Sequence, residues 1–201
     1  MPGVAWTRLW KLHGSVNWSW KGLSGSASRR IVRGNERNDG ELIFPSLHKY
    51  DESRKQPYLS MLDHFGSTLG RPGGTVLVVV GYSFGDEHIN ALIFDALDAR
   101  DRTHVIALQY EELDASHELV SRATRRRNLL VYGPGSAVVA GELCPWALTD
   151  PVDTRTAELL DIPFDSDAVP DPDAIATSGR FRLGDFNYFT QFLDNIAGSD
   201  D

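Results

Sequence analysis

The chain has 201 residues, of which 41% are hydrophobic and 24% are charged, a composition typical of one globular domain. Its net charge of −8 argues against general electrostatic binding of nucleic acid, so we expect no nucleic-acid partner. No apolar run approaches the roughly 20 residues needed to cross a membrane. The first residues also lack the pattern of a secretory signal, so we expect a cytoplasmic protein without a membrane partner.

Cysteine and histidine usage argues against a metal site. Cys144 is the single cysteine, so the chain cannot form an internal disulfide or the paired Cys-x-x-Cys knuckles of a structural zinc site. The six histidines are scattered and do not show the spacing of a zinc-binding helix. We therefore predict no metal.

The first part of the chain is predicted to be extended and irregular. Residues 7–13 alternate in character and then meet Gly14, which indicates a strand that ends in a turn. A second extended piece is predicted at 16–20. Residues 21–40 are rich in Gly, Ser, Arg and Asn and predict a surface excursion, after which 41–45 returns as an extended segment.

Helices and strands then alternate along the chain. Apolar residues recur at helical spacing in 58–69, and the continuous β-branched run at 75–80 predicts a strand buried on both faces of a sheet. The elements predicted next are a helix at 87–99, a strand at 105–108, a helix at 115–126 and a strand at 129–132. This order predicts an α/β layered fold with right-handed crossovers.

The composition changes after residue 148. Residues 149–179 hold many Asp and Pro residues and little periodicity, which predicts a wrap or linker. A last strand is predicted at 181–183 and a closing helix, capped by Asp185, up to residue 196. We expect three regions: a main domain at 1–148, the acidic Pro-rich segment at 149–179, and the closing strand and helix with a frayed tail at 180–201.

Three places in this pattern could carry chemistry. His13 is the last residue of a predicted strand and precedes Gly14, a position where a side chain can face a cleft and exchange a proton near neutral pH. The loop at 81–90 follows the buried strand, and its glycines and helix start suit phosphate or ribose. Gln109 ends the next strand, where dinucleotide folds often contact the adenosine ribose. The alternatives are a turn histidine, a capped helix and a plain strand exit.

These strings, in this order, resemble the later motifs of SIR2-like domains. They are most similar to the bacterial zinc-free branch associated with anti-phage defence. The resemblance covers most of residues 7–135, with a fainter similarity at 180–197. It rests on Lys11-Leu-His13-Gly14-Ser15, Ile43-Phe44-Pro45, Val79-Val80-Gly81-Tyr82-Ser83-Phe84-Gly85-Asp86 with Ile89-Asn90, and Leu183-Gly184-Asp185-Phe186.

The resemblance implies an NAD-binding, Rossmann-like fold, which is a parallel sheet with flanking helices. It implies that His13 is the catalytic base. It also implies that Gly81 and Ser83 hold the phosphates or ribose of the nucleotide. The complete set of NAD-binding residues that we predict is Gly14, Ser15, Gly81, Tyr82, Ser83, Phe84, Asp86, Asn90 and Gln109.

Two departures from the family pattern set further expectations. Members begin with a strand and a glycine-rich phosphate loop, whereas only twelve residues precede His13 here, so we expect an N-terminally truncated domain with doubtful activity in isolation. Loss of those strands should expose a hydrophobic edge at 75–80, which favours a protein partner or self-association.

Residues 15–45 lack the cysteines of a sirtuin zinc module. The function expected first is therefore hydrolysis of NAD at the nicotinamide–ribose bond, with water as acceptor. A non-catalytic module that binds NAD or ADP-ribose, or serves assembly, is the alternative, and an NAD-dependent protein deacylase ranks last.

Overall fold

The computed structural model describes residues 9–22, 30–34, 41–42, 58–146, 162–165 and 180–198. The chain divides into two compact units, residues 1–68 and residues 69–201. The motif residues 43–45 and most of the predicted segment 149–179 lie outside the described residues. Among those that are described, no helix has both the length and the apolar character to span a membrane.

The first unit contains short antiparallel strand pairs and a helix. Its elements are β1 (Gly14–Ser15), β2 (Trp18–Lys21), β3 (Arg30–Arg33), β4 (Glu41–Leu42) and α1 (Tyr58–Leu69), the last of which ends at the unit boundary. Strand β1 pairs with β4, and β2 pairs with β3. The predicted helix at 58–69 is confirmed with the same bounds.

Two predictions for this unit were wrong. The described residues 9–13 form no strand, because the chain turns at His13 and the first strand among the described residues begins at Gly14. The predicted excursion 21–40 contains strand β3, whose central Ile31 and Val32 are β-branched residues that suit a paired strand. The polar composition of residues 21–40 did not indicate this short strand.

The second unit is built on a five-stranded sheet, in the order β5-β6-β7-β8-β9. Strands β5, β6 and β7 are parallel, and β8 and β9 add to them antiparallel. This arrangement confirms the α/β class and extends the predicted parallel sheet into a mixed one. Its elements are β5 (Thr75–Val80), α2 (Glu87–Ala99), β6 (Thr103–Leu108), α3 (Glu118–Ala123), β7 (Leu129–Tyr132), β8 (Ser136–Val139) and β9 (Glu142–Pro145).

Strand β5 lies at the edge of this sheet, and one of its faces is open. Among the described strands it pairs only with β6. Val76 is 64% exposed and Val78 is 44% exposed, whereas Val79 on the opposite face is buried. The prediction of a strand buried on both faces was therefore wrong, because a continuous apolar run does not show whether both faces of a strand are covered. The position of β5 at the edge, among the described strands, agrees with the exposed hydrophobic edge expected at 75–80.

A closing segment packs on the end of β6. It comprises β10 (Phe164–Asp165), β11 (Arg180–Phe181) and α4 (Phe186–Gly198), and β10 pairs antiparallel with β11. Leu108, Phe181 and Leu183 form a buried cluster against this end of the sheet. At Gly184 an added Cβ would overlap the carbonyl oxygen of Gln109, so only glycine allows the segment to approach β6 this closely.

Candidate functional site

The turn that carries His13 is held by neighbouring polar groups of the first unit. Gly14 has a positive φ of 82°, and its N–H donates to the Lys11 carbonyl at 3.0 Å. Ser15 is buried, accepts from Lys11 Nζ at 2.7 Å and donates to Asn17 Oδ1 at 2.8 Å. The structure therefore brings His13, Gly14 and Ser15 into one turn and uses the Ser15 side chain to brace it.

The loop after β5 leaves room for a ligand at its first residue. Gly81 has a φ of 66°, and an added Cβ would meet nothing within 4 Å. Ser83 is exposed beside it. Phe84 has a φ of 56°, which is unusual for a bulky residue, and its ring lies 4.9 Å from that of Tyr82. The loop thus presents open backbone and a hydroxyl group in a constrained conformation.

The remaining predicted residues of this loop bond to each other. The Tyr82 hydroxyl donates to Asn90 Oδ1 at 2.9 Å and lies 3.1 Å from the Asp86 carbonyl oxygen. Asn90 Nδ2 donates to the Phe84 carbonyl at 2.6 Å. Burial raises the pKa of the Tyr82 hydroxyl, the backbone hydrogen bond with Asp86 opposes this, and the Asp86 charge adds to the rise. Tyr82, Asp86 and Asn90, hereafter the loop brace, hold the loop's shape.

Asp86 caps helix α2 and thereby limits what this helix start can bind. It is buried, and its Oδ1 accepts from the backbone N–H groups of His88 at 3.1 Å and Ile89 at 3.3 Å. These are the donors that an anion at a helix start would otherwise use. A phosphate is therefore disfavoured at this position, both by the satisfied donors and by the Asp86 charge.

A cavity of about 230 Å³ opens where β5 and β6 end. Both strands are parallel, so their carboxyl ends lie at the same edge of the sheet, where open α/β folds bind ligands. We call this cavity the strand-end cleft. It is lined by Gly81, Tyr82, Ser83, Leu108, Gln109, Tyr110, Glu111 and His117.

Gln109 forms a buried wall of the cleft. The residue is 8% exposed, and its amide nitrogen lies 3.4 Å from the Tyr82 carbonyl oxygen. This contact links the chain that follows β5 to the chain that follows β6, hereafter the two strand exits. Gln109 and Tyr110 also line a second cavity of about 260 Å³ bounded by the closing segment, including Arg182 and Tyr188. The structure thus places four predicted residues, Gly81, Tyr82, Ser83 and Gln109, around one opening.

The charge in the cleft favours hydroxyl groups of a sugar. Of the described residues that line it, Glu111 alone carries a formal charge, and neither Lys nor Arg is among them. A carboxylate accepts hydrogen bonds from ribose hydroxyls but repels phosphate. The open backbone at Gly81, the Ser83 hydroxyl and the Gln109 amide therefore fit the ribose portion of a nucleotide.

Sequence reasoning missed His117, and it considered Glu111 only as part of the strand end at 107–111, without naming it among the NAD-binding residues. The predicted helix at 115–126 placed His117 inside a helix, but α3 begins at Glu118. Asp114 Oδ1 accepts from the backbone N–H groups of Ser116 at 2.7 Å and His117 at 3.1 Å, which holds a turn before the helix. The Asp-x-Ser pattern was the signal that could have shortened the predicted helix.

A family model matches the part of the chain that contains the candidate site. A search of curated proteins found no match. The family model described as SIR2-like domain matches residues 2–131, which is more than half of the 201 residues. This match spans the His13 turn, both strand exits and the strand-end cleft. The chain belongs to the SIR2-like domain family.

Proposed function

We propose that this chain binds NAD in the strand-end cleft and hydrolyses it at the nicotinamide–ribose bond. The observation that carries the proposal is the cleft at the carboxyl ends of β5 and β6, lined by Gly81, Ser83 and Gln109, in a chain of the SIR2-like family. The setting that we propose, bacterial anti-phage defence, rests on the resemblance of the motifs alone.

The residues of the cleft are suited to bind and orient the ribose side of NAD. The backbone at Gly81 allows close approach, and Ser83 and Gln109 offer hydrogen bonds. In the reaction, water adds to the ribose carbon as its bond to nicotinamide breaks, and one proton of the water is released. We assign acceptance of this proton to His13, on its position in the family's motif order.

The direct test is release of nicotinamide and ADP-ribose from NAD, followed by chromatography. We expect the turnover of His13→Ala to be about 100-fold or more below that of the unaltered chain, which is the usual size of a general-base contribution. His104→Ala is the matched control, because His104 is an exposed histidine at the start of β6. Equal activity of His13→Ala and the control would refute the role of His13.

A second candidate function, a non-catalytic assembly module, is favoured by the open face of β5. Val76 and Val78 are exposed apolar residues on an edge strand, a position from which a second copy could extend the sheet. NAD binding without nicotinamide release, together with dimers in sedimentation experiments that Val78→Lys disrupts, would support this function. A monomer with turnover would exclude it.

A further inference from the structure

We propose that His117 is a ligand-contacting residue whose Nε2–H group donates a hydrogen bond to an oxygen of the bound nucleotide. This inference rests on the proposed function and deepens it, because it adds a residue that the sequence pattern did not contain. The acceptor is either a ribose hydroxyl or a phosphate oxygen, which share the chemistry of an oxygen lone pair.

The position of His117 is the first observation. His117 lines the strand-end cleft, and it also lines a cavity of about 50 Å³ beside helix α2. Ser83 lines the same two cavities, so the two residues border the same openings. The smaller cavity is too small for a nucleotide base, which leaves the strand-end cleft as the place where His117 meets a ligand.

The hydrogen bond of the ring is the second observation. His117 Nδ1 accepts the backbone N–H of Leu119 at 3.2 Å and so caps helix α3. A ring nitrogen that accepts an N–H carries no proton, so the proton of the neutral imidazole is on Nε2. The cap therefore fixes a tautomer in which the nitrogen on the other side of the ring is a donor.

The backbone at His117 is also held in place before any ligand binds. Its N–H lies 3.1 Å from both Asp114 Oδ1 and the Asp114 carbonyl oxygen. Ser116 Oγ donates to the same carboxylate at 2.6 Å. Because the turn and the cap fix the ring, little conformational entropy is lost when Nε2 donates to a ligand.

The capping role of Nδ1 and the proposed donor role of Nε2 can be separated by replacing His117 with Asn or with Gln. In His117→Asn, the side-chain oxygen sits near the position of Nδ1 and is a strong helix cap, but nothing replaces Nε2. In His117→Gln, the longer side chain places its amide near the position of Nε2 and loses the cap. The first variant thus removes the cleft donor, and the second retains it.

The experiment measures NAD and ADP-ribose binding by calorimetry and the melting temperature of both variants. We expect His117→Asn to bind about tenfold more weakly with an unchanged melting temperature, and His117→Gln to bind within about threefold of the unaltered chain but melt a few degrees lower. If His117→Asn also binds adenosine more weakly than the unaltered chain does, the acceptor is a ribose hydroxyl. If His117→Asn binds ADP more weakly but binds adenosine as well as the unaltered chain does, the acceptor is a phosphate oxygen.

The opposite pattern overturns the inference. If His117 is only a helix cap, His117→Asn will bind as well as the unaltered chain, and the loss of stability in His117→Gln will be its only effect. That result leaves NAD binding in place. Failure of the unaltered chain to bind either nucleotide would instead refute the proposed function, and the contact assigned to His117 would be refuted with it.

Discussion

The two strand exits that border the cleft are built in different ways. The exit of β5 is held from within, since the loop brace of Tyr82, Asp86 and Asn90 bonds to its own loop. The exit of β6 is held from outside, since the closing segment packs against the Gln109 carbonyl at Gly184. As a result the first exit uses most of its polar side chains for shape, whereas the second directs Gln109, Glu111 and His117 toward the cleft.

Under the proposed function, this difference separates residues proposed to bind NAD from residues that position them. Gly81 and Ser83 supply backbone and hydroxyl groups to the cleft, while their neighbours in the loop brace fix where these groups lie. Tyr82, Asp86 and Asn90 were predicted as NAD-binding residues. All three form hydrogen bonds within the loop, and Tyr82 also lines the cleft.

The largest effect is expected from breaking the external support of the β6 exit with Gly184→Ala. The added Cβ would overlap the Gln109 carbonyl and lie 2.7 Å from the Tyr110 nitrogen, both of which are backbone atoms. We expect a loss of more than about 2 kcal/mol in the free energy of unfolding, measured with urea, together with weaker NAD binding.

Gly73→Ala is the matched control for Gly184→Ala. A Cβ added at Gly73 meets nothing within 4 Å, so its stability should change by less than about 0.5 kcal/mol. If the two variants unfold at the same urea concentration, the closing segment does not support the β6 exit.

A smaller loss is expected from removing the cap in the loop brace with Asp86→Ala. This variant leaves the N–H groups of His88 and Ile89 without the Asp86 carboxylate, and caps of this kind contribute about 0.5–2 kcal/mol. Asp86→Asn keeps an acceptor oxygen and should recover most of the stability. Thermal unfolding of both variants measures the difference, and equal losses would show that the cap contributes little.

The Tyr82–Asn90 contact tests whether the loop brace acts as a unit. Tyr82→Phe removes the hydroxyl that donates to Asn90 Oδ1, and Asn90→Ala removes its partner. We expect each single change to cost about 1 kcal/mol and the double change to cost clearly less than the sum. Strictly additive losses in urea unfolding would mean that the two side chains do not cooperate.

The smallest effect concerns the pair Asp98–Arg126, which joins helix α2 to the chain beyond α3, away from both exits. Arg126 Nε donates to Asp98 Oδ1 at 2.6 Å, and this hydrogen bond, reinforced by the charge of Arg126 and opposed by burial, lowers the pKa of Asp98. A lowered pKa stabilises the fold above the ordinary carboxyl pKa, and this contribution is lost as the pH falls through the lowered value.

Asp98→Asn should therefore lower stability near neutral pH by less than about 1 kcal/mol, because the side chain of Asp98 is 55% exposed and the pair is screened by solvent. The difference from the unaltered chain should disappear in acid, once Asp98 is protonated in the folded protein. Asp95→Asn, an exposed change on the same helix, is the control. A stability difference that grows in acid would contradict the lowered pKa of Asp98.

Much of the fold could be predicted because its periodicity is strong. The elements at 58–69, 75–80, 87–99 and 129–132 were predicted with the bounds that the structure has. Strands β8 and β9 were missed because they form a short hairpin whose pairing depends on β7 rather than on a long apolar pattern. Exposure of one face of β5 likewise depends on neighbours that local sequence does not specify.

The candidate site was predictable only where backbone geometry leaves a sequence signature. Glycine at 81 and a polar residue at the end of β6 are such signatures, and Gly81, Ser83 and Gln109 lie around one cleft. His117 has no such signature, since its position depends on the turn that Asp114 makes before α3. The loop brace could not be distinguished from a ligand set, because the same polar residue types serve both purposes.

Binding of NAD in the strand-end cleft is tested most directly by nuclear magnetic resonance. NAD is titrated into the ¹⁵N-labelled chain, and amide shift changes are assigned to residues. We predict that the largest changes occur at the amides of both strand exits, at Gly81, Ser83, Gln109 and Glu111. No change at millimolar NAD, or changes confined to the β8–β9 hairpin at 136–145, would contradict binding in this cleft.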